Sequence, residues 1–223
     1  MAPRTVTAAA AMAVGAVAAG VTYRVWWRTG CLNWGASAEE VARTMPGDEL
    51  LTHPDLVATR AVSIAAEPDQ IWPWLVQLGS GRGGAYTYDW IENLFGLKMH
   101  SANTILPEFQ TLAVGDSFPL GARGPRMCAR VVDPARALVF ASDRGDWVWA
   151  FGLYPSAEGT RLVSRNRIIA PGTSRAAKVA YSVVMGPASW VMERKMLLGI
   201  KRRAEQRAFQ ASNAAAFTAG FGR

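Results

Sequence analysis

Between Ala58 and Gly96 the spacing of apolar residues changes twice, and each change predicts an element. Val62 and Ile64 alternate with Ala61, Ser63 and Ala65, the period of two that suits a strand with one buried face. Pro68-Asp69 ends it. From Ile71 onward, Ile71, Trp72, Trp74, Leu75 and Leu78 recur at helical steps and predict a helix with one side in a core. Asp69 is placed to cap it, and Pro73 falls in about the first turn, where its missing N–H costs least. The run Gly79 to Gly84 breaks that helix, and Tyr86 to Leu94 starts a second with Trp90, Ile91 and Leu94 on one side.

Downstream, Gly96 to Pro107 reads as a loop and Leu112 to Phe118 as a strand. Met127 to Val132 and Ala137 to Ala141 are two β-rich runs split by Asp133-Pro134, a turn signal. Trp147, Trp149, Phe151 and Leu153 alternate with Val148, Ala150, Gly152 and Tyr154. In Thr160 to Ile169 one face is basic (Arg161, Arg165 and Arg167, with Val163) and is expected to meet water. The other mixes Leu162 and Ile168 with Ser164 and Asn166, as the wall of a partly polar cavity would. Ala180 to about Phe209 reads as a long closing helix, entered or kinked near Gly186-Pro187. Its apolar stripe is Trp190/Val191, Leu197/Leu198, Ala204 and Ala208, and Arg194, Lys195, Lys201, Arg202, Arg203 and Arg207 fill the remainder. Residues 210–223 read as a frayed, flexible tail.

Upstream of the first strand, Ser37-Ala38-Glu39-Glu40 is a capping-box pattern opening a short helix that stops at Pro46-Gly47. Asp48, Glu49, Pro54 and Asp55 make the rest a polar spacer, either wrapped against the domain or serving as a tether. Before it, Thr5 to Tyr23 carries no charge over 19 residues, enough as a helix of about 1.5 Å per residue to approach the thickness of a bilayer core. Arg4 and the small residues Ala16 and Ala18 also suit a signal peptide. The aromatic and basic collar Tyr23-Arg24-Val25-Trp26-Trp27-Arg28 favours an uncleaved anchor. Cys31 lacks the preceding apolar residue of a lipoprotein site. Arg24, Arg28 and Arg43 follow the segment and only Arg4 and the amino terminus precede it, a margin of one or two charges that leans toward a single-pass cell-membrane span with the body facing the cytoplasm.

A chain of 223 residues, 50% of them apolar, is one domain with a real core. Nine tryptophans suit pocket linings and membrane interfaces as well as cores. A net charge of +7 favours anionic partners, but no zinc-finger spacing, RNP motif or helix-turn-helix supports nucleic acid. Two distant cysteines form no CxxC, and two histidines, His53 and His100, exclude a His-rich zinc site. Neither a metal nor a cofactor is expected. The glycine run with Arg82 joins two helices and lacks the Lys-Ser/Thr of a phosphate loop.

The order strand, helix, glycine break, helix, several strands and a long terminal helix resembles the START-like, or SRPBCC, superfamily, which includes polyketide cyclases, lipid-transfer domains and birch-pollen-allergen-like proteins. More locally, PGDELL (Pro46 to Leu51), IWPWLVQLGSGRGGAYTYDWIENL (Ile71 to Leu94), ILPEFQ (Ile105 to Gln110) and MERKMLLGIKRRAE (Met192 to Glu205) are similar to actinobacterial, membrane-anchored members of unassigned activity. The resemblance runs from about Gly35 to Arg207. It implies an α+β helix-grip fold, a curved antiparallel sheet gripped by the terminal helix, and a cavity for a lipid, polyketide or other hydrophobic small molecule.

The expected organisation is an anchor at 1–29, a linker at 30–56, the START-like domain at 57–209 and the tail at 210–223. Alternation selects Trp72, Tyr86, Trp90, Trp149, Phe151, Ser164 and Asn166 as cavity lining. The function expected is binding or transport of a hydrophobic small molecule or lipid at a membrane, with the protein partner unknown and a third option in which the basic terminal helix docks a partner protein. The alternative is a cyclase- or dehydratase-like enzyme using Asp89, Glu92, Tyr88 or His100, with Glu108 a further acid, because paired carboxylates divide acid and base roles when burial separates their pKa values. The duller account of Asp89 and Glu92 is that they complement a helix dipole. No nucleophile elbow or HExxH is present.

Overall fold

The computed structural model describes residues 3–94, 96–120, 124–172 and 174–220, with the side chains of residues 3–13, 16, 28 and 214–220 outside that description. Helix α1 (Pro3–Trp26) runs into a wider π-helical turn, Trp27–Leu32, and then a short helix α2 (Ala38–Ala42). Strand β1 (Leu56–Ile64) is followed by α3 (Pro68–Val76) and α4 (Asp89–Leu94), then β2 (Ser117–Pro119), β3 (Arg126–Asp133), β4 (Ala137–Ser142), β5 (Trp147–Ser156) and β6 (Gly159–Ile168). Helix α5 (Arg175–Gly220) closes the chain. The strands form one antiparallel sheet in the order β1-β6-β5-β4-β3-β2, so that the first and last strands pair at one edge of the sheet, where β1 meets α5. A six-stranded antiparallel sheet with a long terminal helix across one face is the α+β helix-grip arrangement.

Alternation assigns the faces as the sequence implies. Val62 and Ile64 of β1, Leu162 of β6, Phe151 and Leu153 of β5, and Leu138 and Phe140 of β4 join Ile71, Trp74 and Leu75 of α3 and Met196, Leu197 and Ile200 of α5 in one core. Local details differ from expectation. Glu67, not Asp69, caps α3, in a reciprocal pair with Gln70, because Pro68 takes the first helical position. Strand β2 is three residues rather than seven. Helix α4 begins at Asp89, since Tyr86 adopts a left-handed backbone, φ 58°, that no helix continues. Helix α5 extends through Gly220, so residues 210–220 of the expected frayed tail are helical, and residues 221–223 lie outside the described ones. Its buried stripe is Glu193, Met196, Leu197, Ile200, Arg203 and Ala204, whereas Val191 is exposed.

The largest correction concerns the basic face of β6. It is not wet. Residues 36–51 fold over it, and Met45 and Leu51 pack with Ala61, Val139, Ala141, Val148, Ala150 and Val163 in a second core. Arg165 carries that arrangement: it donates to Thr59 Oγ1 at 3.0 Å, to the Arg43 and Glu40 carbonyls at 2.7 and 2.8 Å, and to Asp48 Oδ2 at 2.7 Å. Arg161 binds Glu40 and the Gly35 carbonyl, and Arg167 donates to the Leu51 carbonyl. The capping box is present, with Glu40 N donating to Ser37 Oγ at 3.1 Å and Ser37 N to Glu40 Oε2 at 2.8 Å. Burial alone would raise the Glu40 carboxyl, but Arg161 and the Ser37 N–H outweigh it and hold it below the usual range. Gly47, at φ +92°, is needed where the segment touches the sheet, because a Cβ there would lie 2.5 Å from Val139 Cγ1. The spacer is therefore wrapped on the domain.

Helix α1 forms over the expected apolar run, but much of that run, residues 5–13 and 16, has side chains outside the described ones. Among the described residues no helix is long and apolar enough to cross a membrane.

Arg165→Met strips the half-buried Asp48 and several carbonyls of a buried donor and is expected to cost about 3 kcal/mol in urea denaturation. Arg130→Met, at an exposed position of β3, is expected to change stability by less than about 0.5 kcal/mol.

Candidate functional site

On the face of the sheet gripped by α5, Ala58, Arg60, Val62 and Ile64 point inward from β1, opposite Asn166, Ser164, Leu162 and Thr160 of β6. Arg60 is fully buried and Glu193 of α5 is 7% exposed, and the two form an ion pair inside the protein. Around the pair, Arg60 Nε donates to the Cys31 carbonyl at 2.9 Å and Nη2 to Ser189 Oγ at 3.0 Å. Glu193 also accepts from Ser164 Oγ at 2.5 Å and from Asn166 Nδ2 at 3.0 and 3.1 Å. A buried charge pair is tolerated only with its remaining donors and acceptors satisfied, and here three elements supply them: β6, α5 and the turn before α2.

An aromatic wall borders this polar cluster. Trp147 and Trp149 stack at 5.9 Å between ring centroids, and Trp149 meets Phe151 at 4.9 Å. Their indoles are tied to the cluster: Trp147 Nε1 donates to Asn166 Oδ1 at 2.8 Å and Trp149 Nε1 to Ser164 Oγ at 3.1 Å. Both tryptophans are half-buried, whereas Phe151, Phe140 and Leu138 deeper along the sheet are wholly enclosed. The centre of the concavity is thus filled by side chains, and the accessible aromatic surface lies at the Trp147 end. Half-buried indole faces beside an apolar wall suit a guest that is mostly hydrophobic.

Of the other expected lining residues, Trp72 is half-buried against the core and Tyr86 is buried, its hydroxyl donating to the Trp74 carbonyl at 3.0 Å under the Arg203 guanidinium. Trp90 is 70% exposed and lines nothing. Helix α4 is too short to bury two sides, and it turns Glu92 inward while Trp90 and Leu94 face out. Ser164, Asn166, Trp149 and Phe151 are brought together as expected; Trp72, Tyr86 and Trp90 are not part of that group.

The acid candidates separate. Asp89 accepts from the Ser101 N–H at 2.8 Å and its hydroxyl at 2.5 Å, so it fastens the following loop. Glu92 is buried with Oε2 lacking a hydrogen-bond partner, and burial, aided by the nearby Asp89 charge, raises its carboxyl above the ordinary range. Tyr88 carries the Lys195 ammonium 5.3 Å over its ring. His100 and Glu108 are exposed. Among the described residues no hydrogen bond joins these groups to the Arg60–Glu193 cluster, and no three His, Cys, Asp or Glu side chains are grouped to hold a metal. Cys31 and Cys128 are free thiols.

Arg60, Glu193 and Ser189 were missed by sequence reasoning, although a signal exists. Arg60 occupies the inward phase of Ala58, Val62 and Ile64, and Glu193 sits one turn before Leu197 on the apolar stripe of α5. One opposite charge on each of two facing apolar stripes is the mark of a buried pair.

Neither a family model nor a curated protein sequence matches this chain. Solved structures do align. A polyketide_cyc-like protein, Cgl2372, from Corynebacterium glutamicum is 18% identical over 71% of this chain and 92% of its own, with a TM-score of 0.36. MLL2253 from Mesorhizobium loti is 17% identical over 68% and 98%, TM-score 0.37. The Aha1 dimer from Colwellia psychrerythraea is 15% identical over 67% and 96%, TM-score 0.40. Superpositions this loose bring no activity to the chain. The strand order and the closing helix described above are the α+β helix-grip arrangement.

Removing one partner of the buried pair, as in Glu193→Leu, is expected to cost about 3–5 kcal/mol, and the double variant Arg60→Met/Glu193→Leu to recover most of it, in chemical denaturation. For Glu92 the raised carboxyl means that the folded chain holds its proton more tightly than the unfolded chain. Its contribution is full below the unfolded carboxyl range and is lost as pH rises through the raised value. Glu92→Gln should therefore match the parent at about pH 4 and exceed it in stability at about pH 7, as read from urea midpoints at both.

Proposed function

We propose that the protein binds a hydrophobic small molecule or lipid against the concave face of its sheet, and that the N-terminal helix holds it at the cell membrane with the domain on the cytoplasmic side. The single observation that carries the binding reading is the half-buried Trp147–Trp149 stack, bonded through its indoles to the buried Asn166 and Ser164, which in turn donate to Glu193. Apolar surface with a few fixed polar groups is the usual form of a small-molecule site. Because Phe140 and Phe151 fill the deeper sheet, the guest enters at the tryptophan end and lies along the indole faces. The membrane reading rests on the uncharged run before Tyr23 and its collar of aromatic and basic residues.

A second reading, a cyclase- or dehydratase-like enzyme, is favoured by one observation: Glu92 is a buried acid with a free oxygen and a raised pKa. A carboxyl that burial makes hold its proton more tightly than usual can act as a general acid toward a leaving hydroxyl. Asp89, occupied by Ser101, holds the loop in place beside it.

Native mass spectrometry of the detergent-extracted full chain, followed by analysis of released lipids, is expected to find a defined apolar molecule. Trp149→Ala should weaken its binding by roughly thirtyfold, the scale of losing a buried aromatic anchor, and Trp90→Ala should leave it unchanged. A chain that stays empty, or equal loss from both variants, overturns the binding reading. If a substrate is found, Glu92→Gln abolishing its turnover while binding persists would select the enzyme.

A further inference from the structure

The end of α1 and the first turns of α5 form one body. Trp26 meets Trp190 edge-on at 6.5 Å, and Trp27 packs over Gly186, where any Cβ would collide with its ring. Tyr23 stacks on Trp27 at 6.1 Å. Between the two helices runs a groove of about 430 Å³. Tyr23, Trp27, Val179 and Val183 form its apolar walls, and Arg24, Arg175, Lys178 and Asp55 edge it. Lys178 pairs with Asp55 at 2.8 Å. Among the described residues neither Arg24 nor Arg175 has a salt bridge, so the rim keeps an uncompensated positive charge.

Beyond the groove, α5 shows water an apolar surface that its packing does not require: Val179 is 63% exposed and Val184 66%, with Val183 and Met185 also exposed. Val21 and Val25 of α1 are exposed as well. Contiguous exposed apolar area with a polar rim marks a contact site, and basic residues beside it select an anionic partner.

We propose that residues 175–185 of α5, together with Tyr23 to Trp27, are a docking surface for an anionic phospholipid bilayer, with a phosphate-bearing headgroup seated between Arg24 and Arg175. The occupant is a lipid surface because the walls are aliphatic and aromatic while the positive charges stand only at the rim. With α1 in a membrane, as proposed above, the collar lies at headgroup depth, and the Trp27–Gly186 contact holds the valines of α5 at the same depth. The Trp147 end of the concave face then opens toward lipid, because Trp190, on the same stretch of α5, lies one turn before the Glu193 that reaches Ser164 and Asn166.

The test uses the full chain with Cys128→Ser and a nitroxide label at Val184→Cys, or at Ala157→Cys in the β5–β6 turn as the aqueous reference. Each is floated with vesicles of phosphatidylcholine, with or without phosphatidylglycerol. The expected result is that, with phosphatidylglycerol, the label at position 184 loses collision with an aqueous nickel complex and gains collision with oxygen relative to position 157. Arg24→Gln/Arg175→Gln should return it toward the aqueous reference. If the chain floats but the label at 184 behaves like that at 157, the docking surface is refuted while the anchor stands. If the chain does not float with either vesicle, both fail. Equal shielding without phosphatidylglycerol, unaffected by the arginine changes, overturns the anionic headgroup site.

Discussion

The ion pair between Arg60 and Glu193 is the constraint on which the concave side of this protein depends. Desolvating two charges costs several kcal/mol per ion, and the fold recovers it only by converging a carbonyl from the turn after α1, hydroxyls from β6 and α5, and an amide from β6. Such a set has one geometry. Sliding α5 by a turn would leave a buried charge unpartnered, a penalty that apolar stripes alone do not impose. The pair therefore sets the register of the helix on the sheet, and through Ser164 and Asn166 the orientation of the two indoles as well.

A second consequence follows from covering both faces of the sheet. An antiparallel sheet commonly leaves one face in water, but here residues 36–51 lie on it and three arginines of β6 fasten them. The sheet becomes a plate with a core on each side. The concave rim of such a plate is formed by the loop held by Asp89, the short helix α4 and the part of α5 before Glu193. These are the places where a guest could enter, and where exposed apolar residues accumulate.

The two acid clusters have different electrostatic character. Glu193 is surrounded by donors and is a structural anion. Glu92 lacks a partner at one oxygen and is pushed toward its protonated form by burial. A carboxyl of the second kind is a standing cost in stability near neutral pH, unlike Asp89, whose bonds to Ser101 explain its place.

The sequence by itself determined the elements and their faces. Period-two alternation placed β1, β5 and β6 with their two faces, β-rich composition placed β3 and β4, the capping box located α2, and the glycine run separated α3 from α4. These are local properties, decided by residues a few positions apart. Helix termini were less legible, because Pro68 and the left-handed Tyr86 moved them by backbone geometry rather than hydrophobicity. Only the tertiary structure decided which charges are buried. Arg165 and Arg60 are equally arginines on strands, and nothing nearby in the chain says that Asp48, more than a hundred residues upstream of one, or Glu193, as far downstream of the other, arrives to meet them. A burial energy depends on the partner at the far end of the contact. Strand alternation can say which way a side chain points, and only the closed fold can say what it finds there.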